Sequence, residues 1–274
     1  MTTSWRLIHT PPAGGAWNMA VDEAILEGAR AGAVLPTLRL YAWQPPCLSL
    51  GYAQPFSDVA LPRLAALGWD VVRRPTGGRA ILHTDELTYS VTGPQDEPRL
   101  AGSVLESYQR LSAALLEALR QLNLPAQAAG AHLSAAEGAD PKGPVCFEVP
   151  SDYEIVVGGK KLIGSAQARR KGGVLQHGAL PLHGDLRRIV EALAFPDETE
   201  RQAAAQRLLE RAVTVETVLG HPVTWAAAAQ AFVVAFERVL ELELIPSALT
   251  EQELGRAGEL MQEKYANDQW TRKS

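Results

Sequence analysis

Two periods of apolar and polar positions alternate along this chain, and each change of period marks a predicted element. Residues 17–30 carry Val21, Ala24, Ile25 and Gly28 at helical spacing with no internal proline, which predicts a first helix bearing Asn18, Asp22 and Glu23. Residues 37–43 alternate as a strand stopped by Pro45-Pro46, and residues 47–52, C-L-S-L-G-Y, form a short strand with Leu48, Leu50 and Tyr52 on one face. That face suits either core packing or the wall of a ligand pocket. Further strands are predicted over residues 69–74, 79–83, 87–92 and 172–182. Residues 103–124 are the clearest helix. Ser103 and Glu106 have capping-box spacing, Val104, Tyr108, Leu111, Leu115, Leu119 and Leu122 share one stripe, and Pro125 ends the run.

From Asp185 onward the helical period dominates, with helices predicted over residues 185–194, 198–212, 224–242 and 250–265, the last begun by a Thr250/Glu253 capping box. The pattern therefore divides the chain into a strand-rich core, residues 1–184, and a mainly helical flank, residues 185–274, packed on it. Residues 125–144 are Ala-, Gly- and Pro-rich and long for a loop within a compact domain, which marks them as a functional or mobile stretch leading into Cys146.

The most informative stretch is V-C-F-E-V-P-S-D-Y-E-I-V-V-G-G-K-K-L-I-G-S-A-Q, residues 145–167. Gly158-Gly159 is a two-residue hairpin signal between β-rich runs, because both turn positions need positive φ. The expected register pairs Val157 with Lys160, Val156 with Lys161, Ile155 with Leu162 and Glu154 with Ile163. Side-chain alternation then puts Lys160 on the more apolar face with Tyr153, Ile155, Val157 and Leu162, and Lys161 on the mixed face with Glu154, Val156 and Ile163. The mixed face better suits a site, and a slip of one residue reverses the assignment.

Composition narrows the class. With 46% hydrophobic and 21% charged residues the chain reads as a soluble globular protein. A net charge of −5 excludes the broad basic field of a general nucleic-acid binder, although Arg73-Arg74 with Arg79 and Arg169-Arg170-Lys171 form local clusters suited to an acidic partner or to a solvated loop. No apolar run approaches the ~20 residues of a membrane span, and residues 1–10 resemble neither a signal peptide nor an anchor. The two cysteines, Cys47 and Cys146, are expected to be reduced in a cytoplasmic protein, and no cysteine–histidine spacing points to a metal.

A thiol and an amine on neighbouring segments make an acyl-transfer pair, since an ammonium raises the thiolate share of a cysteine and can hold an oxyanion. A lone cysteine is also a small buried hydrophobe, and a strand lysine is commonly solvated. In the second glycine-bearing stretch, R-R-P-T-G-G-R-A-I-L-H from Arg73 to His83, Gly77 and Gly78 allow close backbone approach to a ligand, or only a turn. It is not a phosphate-binding Walker loop, and His83 and His177 are candidate proton shuttles or structural histidines.

C-F-E-V-P-S-D-Y-E-I at Cys146 to Ile155 and G-K-K-L-I-G-S-A-Q at Gly159 to Gln167 resemble motifs of the lipoate–biotin protein ligase superfamily, most closely those of its cysteine-dependent octanoyltransferases. The Arg73–His83 run resembles the family's acyl-covering loop, with Arg79 and E-L-T-Y-S at Glu86 to Ser90 nearer the transferases. The ATP-using ligases more often carry a third glycine and an H-D-x-G-N continuation, where this chain has Thr84 and Asp85 after His83. K-Y-A-N-D-Q-W at Lys264 to Trp270 is also similar to the family's C-terminal end.

The resemblance implies an α+β fold, a mixed or largely antiparallel β core flanked by helices. It implies Cys146 as acyl-accepting nucleophile, Lys161 beside it, and substrate contacts from Arg73, Arg74, Gly77, Gly78, Arg79, His83, Gly164, Ser165 and Ala166. The implied reaction moves octanoyl from acyl-carrier protein to Cys146 and on to a lysine of a lipoyl-carrier protein such as the glycine-cleavage H protein, with no cofactor. The alternatives are an ATP- and Mg²⁺-dependent lipoate ligase, an amidotransferase between lipoyl-carrier proteins, and a silent acyl- or carrier-binding module.

Overall fold

Eight strands pair into the main sheet, and the computed structural model describes it within residues 3–129 and 154–273. In chain order the strands are β1 (Thr3–His9), β2 (Thr37–Tyr41), β3 (Cys47–Leu50), β4 (Asp70–Arg73), β5 (Ile81–His83), β6 (Glu86–Pro94), β7 (Gln127–Ala128), β8 (Ile155–Val157), β9 (Lys160–Arg170), β10 (Gly173–Pro181) and β11 (Leu242–Ser247). The main sheet runs β11-β1-β2-β6-β10-β9-β8-β7, and β4-β3-β5 form a second, small sheet. β1 is parallel to both its neighbours, and the rest of the main sheet is antiparallel. The architecture is the expected mixed, largely antiparallel α+β core.

Strand alternation explains how helices cover both faces. Trp5, Leu7, Leu38, Leu40, Leu87, Tyr89 and Val91 point to one face, in one cluster with α3 (Val104–Gln121), α6 (Val215–Leu219) and α7 (Trp225–Leu240). Ile8 and Tyr41 point to the other, against α1 (Gly15–Arg30) and α8 (Glu251–Leu260). The small sheet packs Leu48, Leu50 and Ile81 against α2 (Leu61–Leu67), α4 (Ile189–Ala192) and α5 (Glu198–Arg211). Both expected capping boxes are present, at Ser103/Glu106 and Thr250/Glu253.

Residues 185–273 are mainly helical. They also supply β11, whose Leu242 and Leu244 are buried while Glu243 and Ile245 are exposed. Neither β1 nor β11 belongs to the strands expected from the pattern.

The hairpin register holds only near its turn. Val157 pairs with Lys160 and Val156 with Lys161, but a bulge then sets Ile155 opposite Ile163 instead of Leu162. The extra residue breaks the strict face alternation, so Leu162 and Ile163 are both buried. Lys160 turns outward, its Nζ donating to the Leu209 carbonyl at 2.6 Å, while Lys161 is buried.

β9 runs on well beyond the expected return strand, to Arg170. Arg169 donates to the carbonyls of Leu100, Gly102 and Ser103, and so braces the start of α3. That half of the basic cluster is structural. Arg170 is exposed, its guanidinium over the Tyr52 ring.

Candidate active site

Where β6, β10 and β9 meet the small sheet, the side chains leave a cavity of about 620 Å³, within the range of small-molecule sites. Lys161, Gly164, Ser165, Ala166 and Gln167 of β9 line one wall, with His177 and Gly178 of β10 beside them. Arg74, Gly77, Gly78, Arg79 and His83, from the small sheet and the turn between β4 and β5, also line the cavity, with Ser49 of β3 and Trp43. The first two turns of α3 add Val104, Leu105 and Tyr108. Most of the expected site residues thus face one space although they come from separate parts of the chain.

Arg73 departs from the expectation. It is fully buried and does not line the cavity. Its guanidinium donates to the backbone carbonyls of Gly51, Tyr52, Gln54, Trp270, Thr271 and Lys273, while Trp270 Nε1 donates back to the Arg73 carbonyl at 2.8 Å. Successive residues of an extended segment point to opposite sides, so only one of the two arginines can face the site. That one is Arg74, whose Nη2 donates to the carbonyls of Gly77 (2.8 Å) and Arg79 (2.7 Å) and so shapes the glycine turn.

The two glycines are unequal. Gly78 has φ +90°, and a Cβ there would come within 2.9 Å of Arg74 Nη2. Gly77 has neither constraint, with nothing within 4 Å of a built Cβ. Close approach is also needed from below, because a Cβ on Gly51 would lie 1.8 Å from the Gly78 carbonyl oxygen.

On β9, the Lys161 ammonium donates to the Glu154 carboxylate, and both residues are buried at the cavity wall. Ser165 Oγ and Tyr89 OH are 2.7 Å apart, and Gln176 Nε2 donates to that phenol at 3.0 Å. Burial lifts the Tyr89 hydroxyl well above the usual phenol range, so it stays neutral.

Two imidazoles border the cavity. His83 stacks on Trp43, with ring centroids 3.9 Å apart, and contacts Glu86 Oε1 through Nδ1 (2.6 Å) and Ser49 Oγ through Nε2 (2.7 Å). His177 meets Thr76 Oγ1 at 2.7 Å and lies 3.8 Å from Asp22 Oδ2. Burial pushes the His177 pKa below its ordinary value, while the Asp22 contact opposes that. Asp22 is itself buried, bonded to Arg39, Tyr41 and Ser90.

Cys146 lies outside the described residues, as do Tyr153 and most of the stretch 125–144. Cys47 is fully buried behind the cavity, and a Cβ on Gly15 would sit 2.4 Å from its Sγ. Burial, together with the nearby Asp70 and Glu86 carboxylates, raises its thiol pKa well above the usual value, so it stays a neutral core thiol. Leu48 and Leu50 belong to the small sheet's core and Tyr52 is largely exposed; the cavity-facing residue of β3 is Ser49. Ser49, Glu86 and Glu154 were not among the expected site residues. The polar Ser49 between Leu48 and Leu50 is the available signal, since it marks the opposite face of the strand.

Among the described residues no group of three or more His, Cys, Asp or Glu is placed to hold a metal ion, and no helix is long and apolar enough to cross a membrane.

A largely apolar slot under a glycine turn, with a buried ammonium at its wall, suits an acyl group whose carbonyl needs a donor, and puts the chain among group-transferring catalytic domains. Residues 15–237 match the lipoyl protein ligase A/B catalytic domain, and the chain belongs to that family. It is 42% identical over 271 residues to a protein of Brevibacillus brevis named octanoyltransferase LipM, covering 97% of this chain and 98% of the relative. It is also 42% identical over 273 residues to the octanoyltransferase LipM of Moorella thermoacetica, covering 98% of each. Among solved structures, a bipartite lipoate protein ligase of Thermoplasma acidophilum superposes with TM-score 0.82 at 26% identity, covering 98% of this chain and 96% of that one. Lipoate-protein ligase A bound with ATP superposes with TM-score 0.78 at 27% identity, covering 99% of each chain.

Proposed function

We propose that this chain is an octanoyltransferase of lipoate biosynthesis that works through a cysteine thioester. Cys146 attacks the octanoyl thioester of acyl-carrier protein, and the acyl group then passes to a lysine of a lipoyl-carrier protein of the glycine-cleavage H type, in the cytoplasm. The donor thioester is already activated, so no ATP is required. The observation that carries this reading is the burial of Lys161 against Glu154 in the wall of a mostly apolar cavity, in a chain similar over its length to octanoyltransferases. An ammonium there favours thiolate over thiol and offers a donor to the developing oxyanion. Gly78, Arg74 and Ser165 frame the acyl carbonyl, and Val104, Leu105 and Tyr108 offer apolar surface to the chain. In this reading residues 1–184 carry the chemistry and residues 185–274 brace them, through β11 in the main sheet and the carbonyls held by Arg73.

The test is intact-mass measurement with octanoyl-acyl-carrier protein and no ATP. Wild-type protein gains one octanoyl mass that neutral hydroxylamine removes, and shows ping-pong kinetics with an acceptor. Cys146→Ser loses transfer and Cys47→Ser keeps both steps. Transfer that proceeds only with free acid and ATP, or at the wild-type rate in Cys146→Ser, makes an adenylate-forming ligase the better reading.

A further inference from the structure

The cavity wall contains a chain of hydrogen bonds whose direction is fixed by its two ends. Trp43 Nε1 can only donate, and does so to Thr88 Oγ1 at 2.8 Å, leaving the Thr88 hydroxyl to donate to Glu86 Oε1. The Glu86 carboxylate can only accept, so the proton between it and His83 belongs to His83 Nδ1. The Nε2 lone pair then faces Ser49. At the other end, the Arg74 guanidinium, also a pure donor, reaches Ser49 Oγ at 3.3 Å, so the serine hydroxyl turns its own proton toward His83 Nε2. The order Ser49→His83→Glu86 has the polarity of a serine–histidine–acid relay. Ser49 and His83 both line the cavity, and the His83 ring is held flat against Trp43, with planes 8° apart.

Resting on the thioester reading above, we propose that His83, reached through the Ser49 hydroxyl and oriented by Glu86, is the proton acceptor of the amide-forming half-reaction. The two half-reactions differ in their proton demand. Thioester exchange onto Cys146 makes one C–S bond, breaks another, and swaps one thiol for another with no net proton released. Amide formation starts from an ammonium, which must lose a proton before its nitrogen attacks the thioester carbon and the C–S bond breaks; of the three nitrogen-bound protons one stays in the amide. One goes to the departing sulfur and one must leave. His83 Nε2 takes that last proton through Ser49 and passes it to water. Lys161 is poorly suited to the task, because as an ammonium bonded to the Glu154 carboxylate it can donate but has no lone pair to take a proton. His177 is the competing imidazole, but its Nε2 is bonded to Thr76 and its Nδ1 lies 3.8 Å from the nearest carboxylate oxygen, a weaker orientation than that of His83.

The test separates the half-reactions in the full-length protein. Octanoyl-enzyme is first formed with donor alone and followed by intact mass; acceptor is then added in a single turnover. In His83→Gly the octanoyl-enzyme still forms, which also shows that the variant folds, while amide transfer falls about 10²–10⁴-fold further than acylation does, the usual contribution of a positioned base. Free imidazole, stacking on Trp43 in the vacated space, restores part of the transfer rate. Ser49→Ala and Glu86→Gln show the same selective defect, smaller in size. Wild-type transfer from acylated His83→Gly overturns the proposal. So does an equal loss in both half-reactions without imidazole rescue, which is a structural role, or the selective defect appearing in His177→Asn instead. Failure of the wild-type protein to form any octanoyl-enzyme overturns the thioester reading itself, and the relay with it.

Discussion

Replacing Lys161 by Met removes a buried ammonium while keeping most of the stem's volume. Lys161 and Glu154 are 5% and 7% exposed, so the change leaves the Glu154 carboxylate facing an apolar chain where a cation stood. Breaking one side of a buried pair costs about 3–5 kcal/mol of stability. Losing a donor to the developing oxyanion costs a further ~3–4 kcal/mol in the transition state, about 10²–10³-fold in the acylation rate. The two effects separate in a second variant. Lys161→Met with Glu154→Gln removes both charges, and replacing a buried pair by uncharged groups is often close to neutral, so most of the lost stability returns. Acylation does not return. Lys160→Ala is the control: its Nζ makes a half-buried bond to the Leu209 carbonyl, worth about 1 kcal/mol, and acylation is expected within about threefold of wild type. Urea melts and single-turnover mass measurements on the four proteins give both quantities. Recovery of acylation in the double variant, or equal losses for Lys160→Ala and Lys161→Met, refutes the assignment of Lys161 to the chemistry.

Gly78→Val forces a branched side chain to φ +90° beside Arg74, costing more than ~1–2 kcal/mol and weakening donor binding, whereas Gly77→Ala keeps the melting temperature because its Cβ meets nothing; equal melts for the two contradict this. Arg73→Lys replaces a five-donor fork spanning six carbonyls by three donors on one nitrogen, and a loss of about 2–4 kcal/mol, with earlier proteolysis near Trp270, is expected. His177 has its pKa lowered by burial, so the unfolded state binds the extra proton first; stability is full above about pH 6.5 and falls as the pH drops from there toward the folded pKa. His177→Gln flattens that slope in urea melts between pH 7.5 and about 5.5, where His9, also lowered by burial, adds a contribution of the same sign.

The parts of the fold that local chemistry announces were legible. The Ser103/Glu106 box and its apolar stripe fixed α3 almost to the residue, and Gly158-Gly159 fixed the hairpin turn. What depends on distant partners was hidden. β11 follows α7 through Glu241, which takes the left-handed cap conformation (φ 51°) usually left to glycine, so no stop signal separates helix from strand. The bulge at Ile155/Val156 has no marker of its own in the sequence. In the site, the motif resemblance treated Arg73 and Arg74 as a unit, while strand geometry gives them opposite neighbours. The same alternation puts Ser49 in the cavity wall and Leu48 and Leu50 behind it. Glu86 meets the cavity through His83 and Thr88, relations that exist once β5 and β6 are folded.

The parallel pairing of β1 with β11 also sets a clock on the chain's birth. Ser4 and Glu243 lie side by side in the sheet, yet 239 positions separate them. At ordinary translation speeds a ribosome needs roughly 10–50 s to make that length. Through that interval the outer rim of β1 has no β11 to pair with, the kind of open edge on which nascent chains stick to one another. Sealing it waits for the arrival of Leu242–Ser247, followed shortly by Glu253, which clasps Arg6 from α8. One of the longest-range pairings in this protein is therefore the one that covers the β1 rim, and it leaves β11, with Pro246 and the exposed Glu243, as the outer strand of the finished sheet.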